Sequence, residues 1–117
     1  MNIVSHRETP GGGETVKADD RNPENGNASH RYEIFYGDGC SQHLSFQDGP
    51  INVVGANGIT NEALLAIVAD RLDGFQSSKW ACEENAVALD AVKAALAALE
   101  SRTAKRAARG VEGTHAV

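Results

Sequence analysis

Four positive charges fall within eight residues near the end of the chain, Arg102, Lys105, Arg106 and Arg109, and no acidic residue interrupts them. Arg102, Arg106 and Arg109 step by four and three, a spacing that places side chains on one face of an α-helix. A guanidinium is a rigid fork of N–H donors that matches phosphate oxygens two at a time and stays charged at any relevant pH. The chemistry on offer is recognition of a small phosphorylated anion. The same arginines also suit a plain surface role, or pairing with Glu62, Asp70 and Asp73 on neighbouring elements, and spacing alone leaves both readings open.

Phe75 stands where a helix should end, and an aromatic there either stacks on a purine or closes a helical hairpin as a core residue. Asn85 falls on an apolar helical stripe, where its amide must find partners in the backbone or in a ligand. Trp80, at the start of the second helix, reads as a hydrophobic staple or interface anchor, with a ligand platform as the alternative. Asn57 and Gly58 lie in a loop whose backbone N–H groups would suit a phosphate, but the glycine count and trailing Lys-Ser/Thr of a P-loop are missing. Thr114 and His115 offer polar groups on a short terminal segment, where such a composition is also that of an ordinary tail.

Catalytic sets do not assemble. His6, His30, His43 and His115 lie at no metal-ligand spacing, no Ser or Cys sits in a nucleophile motif, and no cofactor or metal is expected. Cys40 and Cys82 form no CxxC and read as reduced thiols, one of them buried. Binding, not catalysis, is the expectation: no enzyme.

Positioning these groups requires a scaffold. Residues 31–54 read as two or three short antiparallel strands: Tyr32–Tyr36, a turn at Gly37–Gly39, His43–Gln47, a turn at Asp48–Pro50, and Ile51–Val54. Thr60 is a sensible N-cap for a first helix, whose Leu64, Leu65, Ile67, Val68, Leu72 and Phe75 recur at helical spacing until a stop near residues 76–79. A second helix begins between Trp80 and Glu83. Its stripe is Ala86, Ala88, Leu89, Val92, Ala95, Leu96 and Leu99, the arginines continue the line of Ala95 and Leu99, and Gly110 ends it. Two helices joined by a short link form an antiparallel hairpin.

Residues 1–30 carry few large apolar side chains and several Gly, Asn and Asp, so a mostly disordered arm is expected there. Residues 31–117 then form one domain: a β-rich part (31–59), a helical hairpin (60–109) and a tail (110–117). The class is α+β, a short antiparallel β-meander followed by a long two-helix hairpin. So small a domain with alanine-rich helices buries a modest share of its surface, so self-association is expected. The net charge of −5 argues against coating DNA or RNA, and a compact basic cluster on an acidic chain suits a small anion better than a polyanion. No apolar run has the length of a signal peptide or a membrane span, so the protein is expected to stay in the cytoplasm where it is made.

From Leu44-Ser45-Phe46-Gln47-Asp48-Gly49-Pro50-Ile51 through Gly58–Val68 the sequence resembles the phage anti-Thoeris sponge family. The resemblance continues through Asp70-Arg71-Leu72, Gly74-Phe75-Gln76, Ala81-Cys82, Glu84-Asn85-Ala86, Arg102-Thr103, Arg106 and Arg109–His115. It implies a hexamer built of dimers that binds cyclic ADP-ribose isomers made by TIR-domain sensors without cleaving them, so that Thoeris defence stays off. Some members also hold cyclic di- or trinucleotides at a separate site and blunt CBASS-type defence, and a sister anti-CBASS family shares the hairpin. Carried over by position, Phe75 would stack on the adenine, Asn85 would hydrogen-bond the ligand, and Arg102 and Arg106 would grip the diphosphate. Ser77-Ser78-Lys79-Trp80 is bulkier at the link than the family pattern, a departure that bears on ligand preference.

Overall fold

A computed structural model describes residues 2–4, 14–37 and 39–116. The chain divides into two compact units, Met1–Ile59 and Thr60–Val117.

The first unit is built on a four-stranded antiparallel sheet in the order β1 (Asn2–Ile3), β2 (Thr15–Ala18), β3 (Arg31–Tyr36) and β4 (Cys40–Ser45). Aromatic and β-branched residues make β3 its best strand former, and the register sets the two faces. Ala18 lies opposite Tyr32 and Tyr32 opposite Leu44, while Val16 lies opposite Ile34. These residues share the apolar face, since strand side chains alternate. Tyr32 packs edge-on against Phe46, ring centroids 5.6 Å apart. The row Lys17, Glu33, His43 lies on the other face, where His43 Nε2 is 3.3 Å from Glu33 Oε2.

The disordered arm expected over residues 1–30 is corrected for the described part of it. β2 adds four residues to the sheet, and residues 19–30 are tied down by polar contacts. Ser29 Oγ donates to the Asp19 carbonyl at 2.7 Å, the His30 amide donates to Asp19 Oδ1 at 3.0 Å, and Asn22 caps a 3₁₀ turn over Pro23–Asn25. Hydrogen bonds from short polar side chains order what apolar burial does not. Residues 5–13, part of the same expectation, lie outside the described residues.

Ile51–Val54, expected as a strand, is a single helical turn, α1. Four residues, three of them apolar, are too few for a period to separate strand from helix. Here the Pro50 carbonyl accepts from the amides of Val53 and Val54. The Gln47 side-chain amide donates to the carbonyls of Gly49 and Gly55 at 3.1 and 2.8 Å, closing the loop around that turn. The chain then returns along β4, where Ile59 bridges Phe46 in parallel. Gly58 makes this possible: a Cβ there would stand 2.4 Å from the Phe46 carbonyl carbon.

The second unit is an α-hairpin of α2 (Asn61–Gln76) and α3 (Glu83–Ala108). Thr60 Oγ1 accepts from the Ala63 amide at 3.1 Å, the expected N-cap. Cys82 Sγ caps α3 by accepting from the Asn85 amide, and Gln76 Oε1 accepts from the Cys82 amide at 3.0 Å, stapling one helix end to the next. At the far end Gly110 adopts the left-handed conformation (φ +73°). The amides of Gly110 and Val111 donate to the carbonyls of Ala107 and Arg106, which completes a Schellman cap. No helix among the described residues is long and apolar enough to cross a membrane.

The helices meet along a seam that repeats by threes and fours. On α2 the less exposed positions are Glu62, Leu64, Leu65, Ala69, Leu72 and Gln76; on α3 they are Asn85, Ala86, Ala88, Leu89, Val92, Leu96, Leu99, Thr103 and Arg106. Ala95, expected in this stripe, is exposed, so of the three arginines only Arg106 continues it.

Candidate functional site

α3 has 26 residues and α2 has 16, so α3 runs about 15 Å beyond its partner at 1.5 Å per residue. The basic cluster occupies that overhang. Ala98, Ser101, Arg102, Lys105, Arg106 and Arg109 line an open groove of about 340 Å³. With no α2 alongside, residues 111–116 fold back onto the helix end and Arg106 organises them. Its Nε donates to Glu112 Oε2 at 3.0 Å, its Nη2 donates to the carbonyls of Val111 and Thr114 at 3.0 and 3.2 Å, and its Nη1 donates to the Ala116 carbonyl. Four of the five N–H groups of a guanidinium are thus engaged by the tail, and Arg106 is only 7% exposed. Arg102 and Arg106, expected together to grip a diphosphate, thus stand in different surroundings in this protomer.

Arg102 lies on the neighbouring line with Ala98, Lys105 and Arg109, all exposed. No carboxylate among the described residues pairs with it. Cations here also complement the negative end of the α3 dipole, a stabilising role independent of any ligand. Thr114 serves the tail itself: its Oγ1 donates to the Val111 carbonyl and accepts from the Ala116 amide. His115 is exposed on the same segment.

Phe75 and Asn85 sit at the other end of the hairpin, in the last turn of α2 and the first turn of α3. The 17 residues from Asn85 to Arg102 correspond to roughly 25 Å along the α3 axis. One protomer cannot bring Phe75 and Arg102 to one small ligand. Phe75 is 37% exposed, too open for the hairpin-closing core residue that was its alternative reading. The Arg71 guanidinium lies 5.6 Å from its ring centroid, an i, i+4 pairing readable from the sequence. Trp80 is 63% exposed with the Lys79 ammonium 5.0 Å from its ring. Arg71, Phe75 and Trp80 line a second cavity, of about 310 Å³. Arg71 was overlooked because it reads as an ordinary surface cation.

Asn57 belongs to the other unit and is a loop clamp there. Its side chain accepts from the Asp48 amide and donates to the Asp48 carbonyl, both at 2.8 Å, while its own amide donates to Gln47 Oε1 at 3.0 Å. The amide expected to face a phosphate is occupied. Cys40 and Cys82 are both exposed, against the expectation that one is buried. Among the described residues no group of His, Cys, Asp and Glu is placed to hold a metal ion.

Residues 41–104, more than half of the chain, match the family described as Acb2/Tad1, hairpin domain. The chain is 51% identical over 72 residues, 62% of its length, to Thoeris anti-defense 1 of Bacillus phage SBSphiJ7. It spans about half the length of that relative. The matched segment takes in β4, α1, α2 and most of α3, including Phe75, Asn85 and Arg102. On this match, and on the two-helix hairpin that the structure displays, the chain belongs to the Acb2/Tad1 hairpin-domain family.

Proposed function

We propose that this protein is a sponge: it binds a cyclic ADP-ribose isomer stoichiometrically, releases it intact, and so silences Thoeris defence in the cytoplasm of an infected bacterium. The observation that carries this reading is the cationic groove on the α3 overhang of an acidic chain. Arg102, Lys105 and Arg109 supply donors and charge for a diphosphate, and Arg106 holds the tail, with Thr114 and His115, against the same helix end. Phe75 gives a base a π-face, and Asn85, half-buried at the same end, offers its amide.

These two half-sites lie at opposite ends of the hairpin, so a complete site needs Phe75 and Asn85 of one protomer beside the arginines of another. This is the physical reason for a homo-oligomer, which we take to be a hexamer built of dimers. A charge-assisted hydrogen bond contributes about 1.5–3 kcal/mol and base stacking about 1–3 kcal/mol. Two such bonds and one stack account for a large part of a nanomolar affinity.

Calorimetry against a panel of cyclic ADP-ribose isomers tests the reading, followed by boiling the complex and assaying the released ligand. Binding with recovery of intact signal is expected. Recovery of a hydrolysed product would show an enzyme, and no heat with any isomer would end the proposal. The separation of the groove from Phe75 also favours a second ligand class, cyclic di- or trinucleotides, whose phosphates the cations can hold without Phe75. Phe75→Ala tells the two apart: it should abolish binding of the ADP-ribose isomer and spare a groove-bound oligonucleotide.

A further inference from the structure

We propose that the cavity beside the hairpin link is a two-walled base cradle, in which Trp80 forms a second aromatic wall beside Phe75 and Gly74 keeps the floor open, so that Trp80 and Gly74 set the base specificity of the sponge. This rests on the sponge reading and assigns residues to it. Five residues line the cavity: Arg71, Gly74, Phe75, Ser78 and Trp80.

Gly74 lies inside α2, two residues before its end. Its backbone is not in the left-handed region that would require glycine, and a Cβ added there would meet nothing within 4 Å. Glycine in a helix is less favourable than alanine, and no neighbour in the protomer demands it. The space above it is kept clear for something the protomer does not contain.

The backbones that carry the two rings are tied together. Ser78 Oγ donates to the Phe75 carbonyl at 2.7 Å and accepts from the Trp80 amide at 3.1 Å, so one hydroxyl ties the backbones of both aromatic residues. Each ring also has a cation over it, Arg71 on Phe75 and Lys79 on Trp80. An aromatic cavity flanked by two positive charges suits a flat heterocycle bearing phosphates. A purine base of a cyclic nucleotide fits that description, and a plain apolar side chain does not.

Trp80 is the single tryptophan of the chain, so its emission reports on the cradle. The full-length protein is titrated with cyclic ADP-ribose isomers and, separately, with inorganic pyrophosphate, following tryptophan fluorescence and calorimetric heat together. The nucleotides should quench Trp80, and pyrophosphate, which has no base, should not. Trp80→Ala should weaken nucleotide binding by tenfold or more, in line with the loss of about one stacking contact, and Trp80→Phe should restore most of it. Gly74→Ala should raise the melting temperature yet weaken binding. The cradle is overturned if Trp80→Ala and Gly74→Ala bind nucleotide as the parent does. It is also overturned if they lower the oligomeric mass, because any loss of binding then follows from lost assembly and not from a lost base contact. If the parent protein itself gives no heat with any isomer, the sponge reading fails and the cradle falls with it.

Discussion

Arg102 and Arg106 are one helical turn apart, yet their surroundings make them different kinds of residue. Arg106 is enclosed by four acceptors from the tail, so its loss should be felt first as loss of structure. Arg106→Ala should release residues 111–116 to rapid amide hydrogen exchange and destabilise the hairpin by about 1.5–3 kcal/mol. Arg106→Lys should not rescue it, because an ammonium cannot span the acceptors that a planar fork reaches. Arg102→Ala is the converse case. An exposed side chain with no carboxylate partner among the described residues should change stability by less than about 0.5 kcal/mol when removed, while its loss weakens binding of the proposed ligand by about tenfold or more. Thermal melts and calorimetry on both variants separate the two roles.

At the scale of elements, two short features hold the scaffold in register. Gly58→Ala would drive a Cβ into the Ser45–Phe46 backbone, and backbone has little room to yield. The strand-like return at Ile59 should be lost, with destabilisation of about 2 kcal/mol or more, read from denaturant midpoints. Thr60→Ala removes the N-cap acceptor of α2 and should cost about 1 kcal/mol without altering the fold, visible as a lowered midpoint at unchanged slope. The α1 turn teaches a different lesson. Ile51–Val54 looks like a strand by composition and becomes a helical turn because Pro50 and the Gln47 amide close the loop around it.

For the whole molecule the notable property is how little is buried. Among the described residues Ala18 and Leu89 are the buried apolar ones, and no side chain is less than 2% exposed. Ile67 and Val87, on the two hairpin helices, are 57% and 63% exposed. In the proposed assembly these apolar residues would be covered by another copy of the chain. The full-length chain should therefore run well above its 12.3 kDa protomer mass in light scattering. Ile67→Glu with Val87→Glu should reduce that mass while leaving the helical circular dichroism signal intact. A parent protein of protomer mass at micromolar concentration would contradict the proposed assembly.

Local rules made much of this chain legible from its residues. The β3–β4 hairpin, the Thr60 cap, the limits of α2 and the Gly110 stop follow from side-chain alternation, helical period and backbone preference, which act over a few residues. The basic cluster was equally plain as a cluster. What the cluster does was decided by tertiary structure. Four positions along a helix leave a net turn of about 40° around its axis. That turn puts Arg106 in the seam and Arg102 beside it, and only the tail folding back shows which arginine is enclosed. The ordering of residues 14–30 and the occupied amides of Asn57 were hidden for the same reason. They depend on hydrogen bonds between residues about ten or more apart in sequence, which no local pattern records.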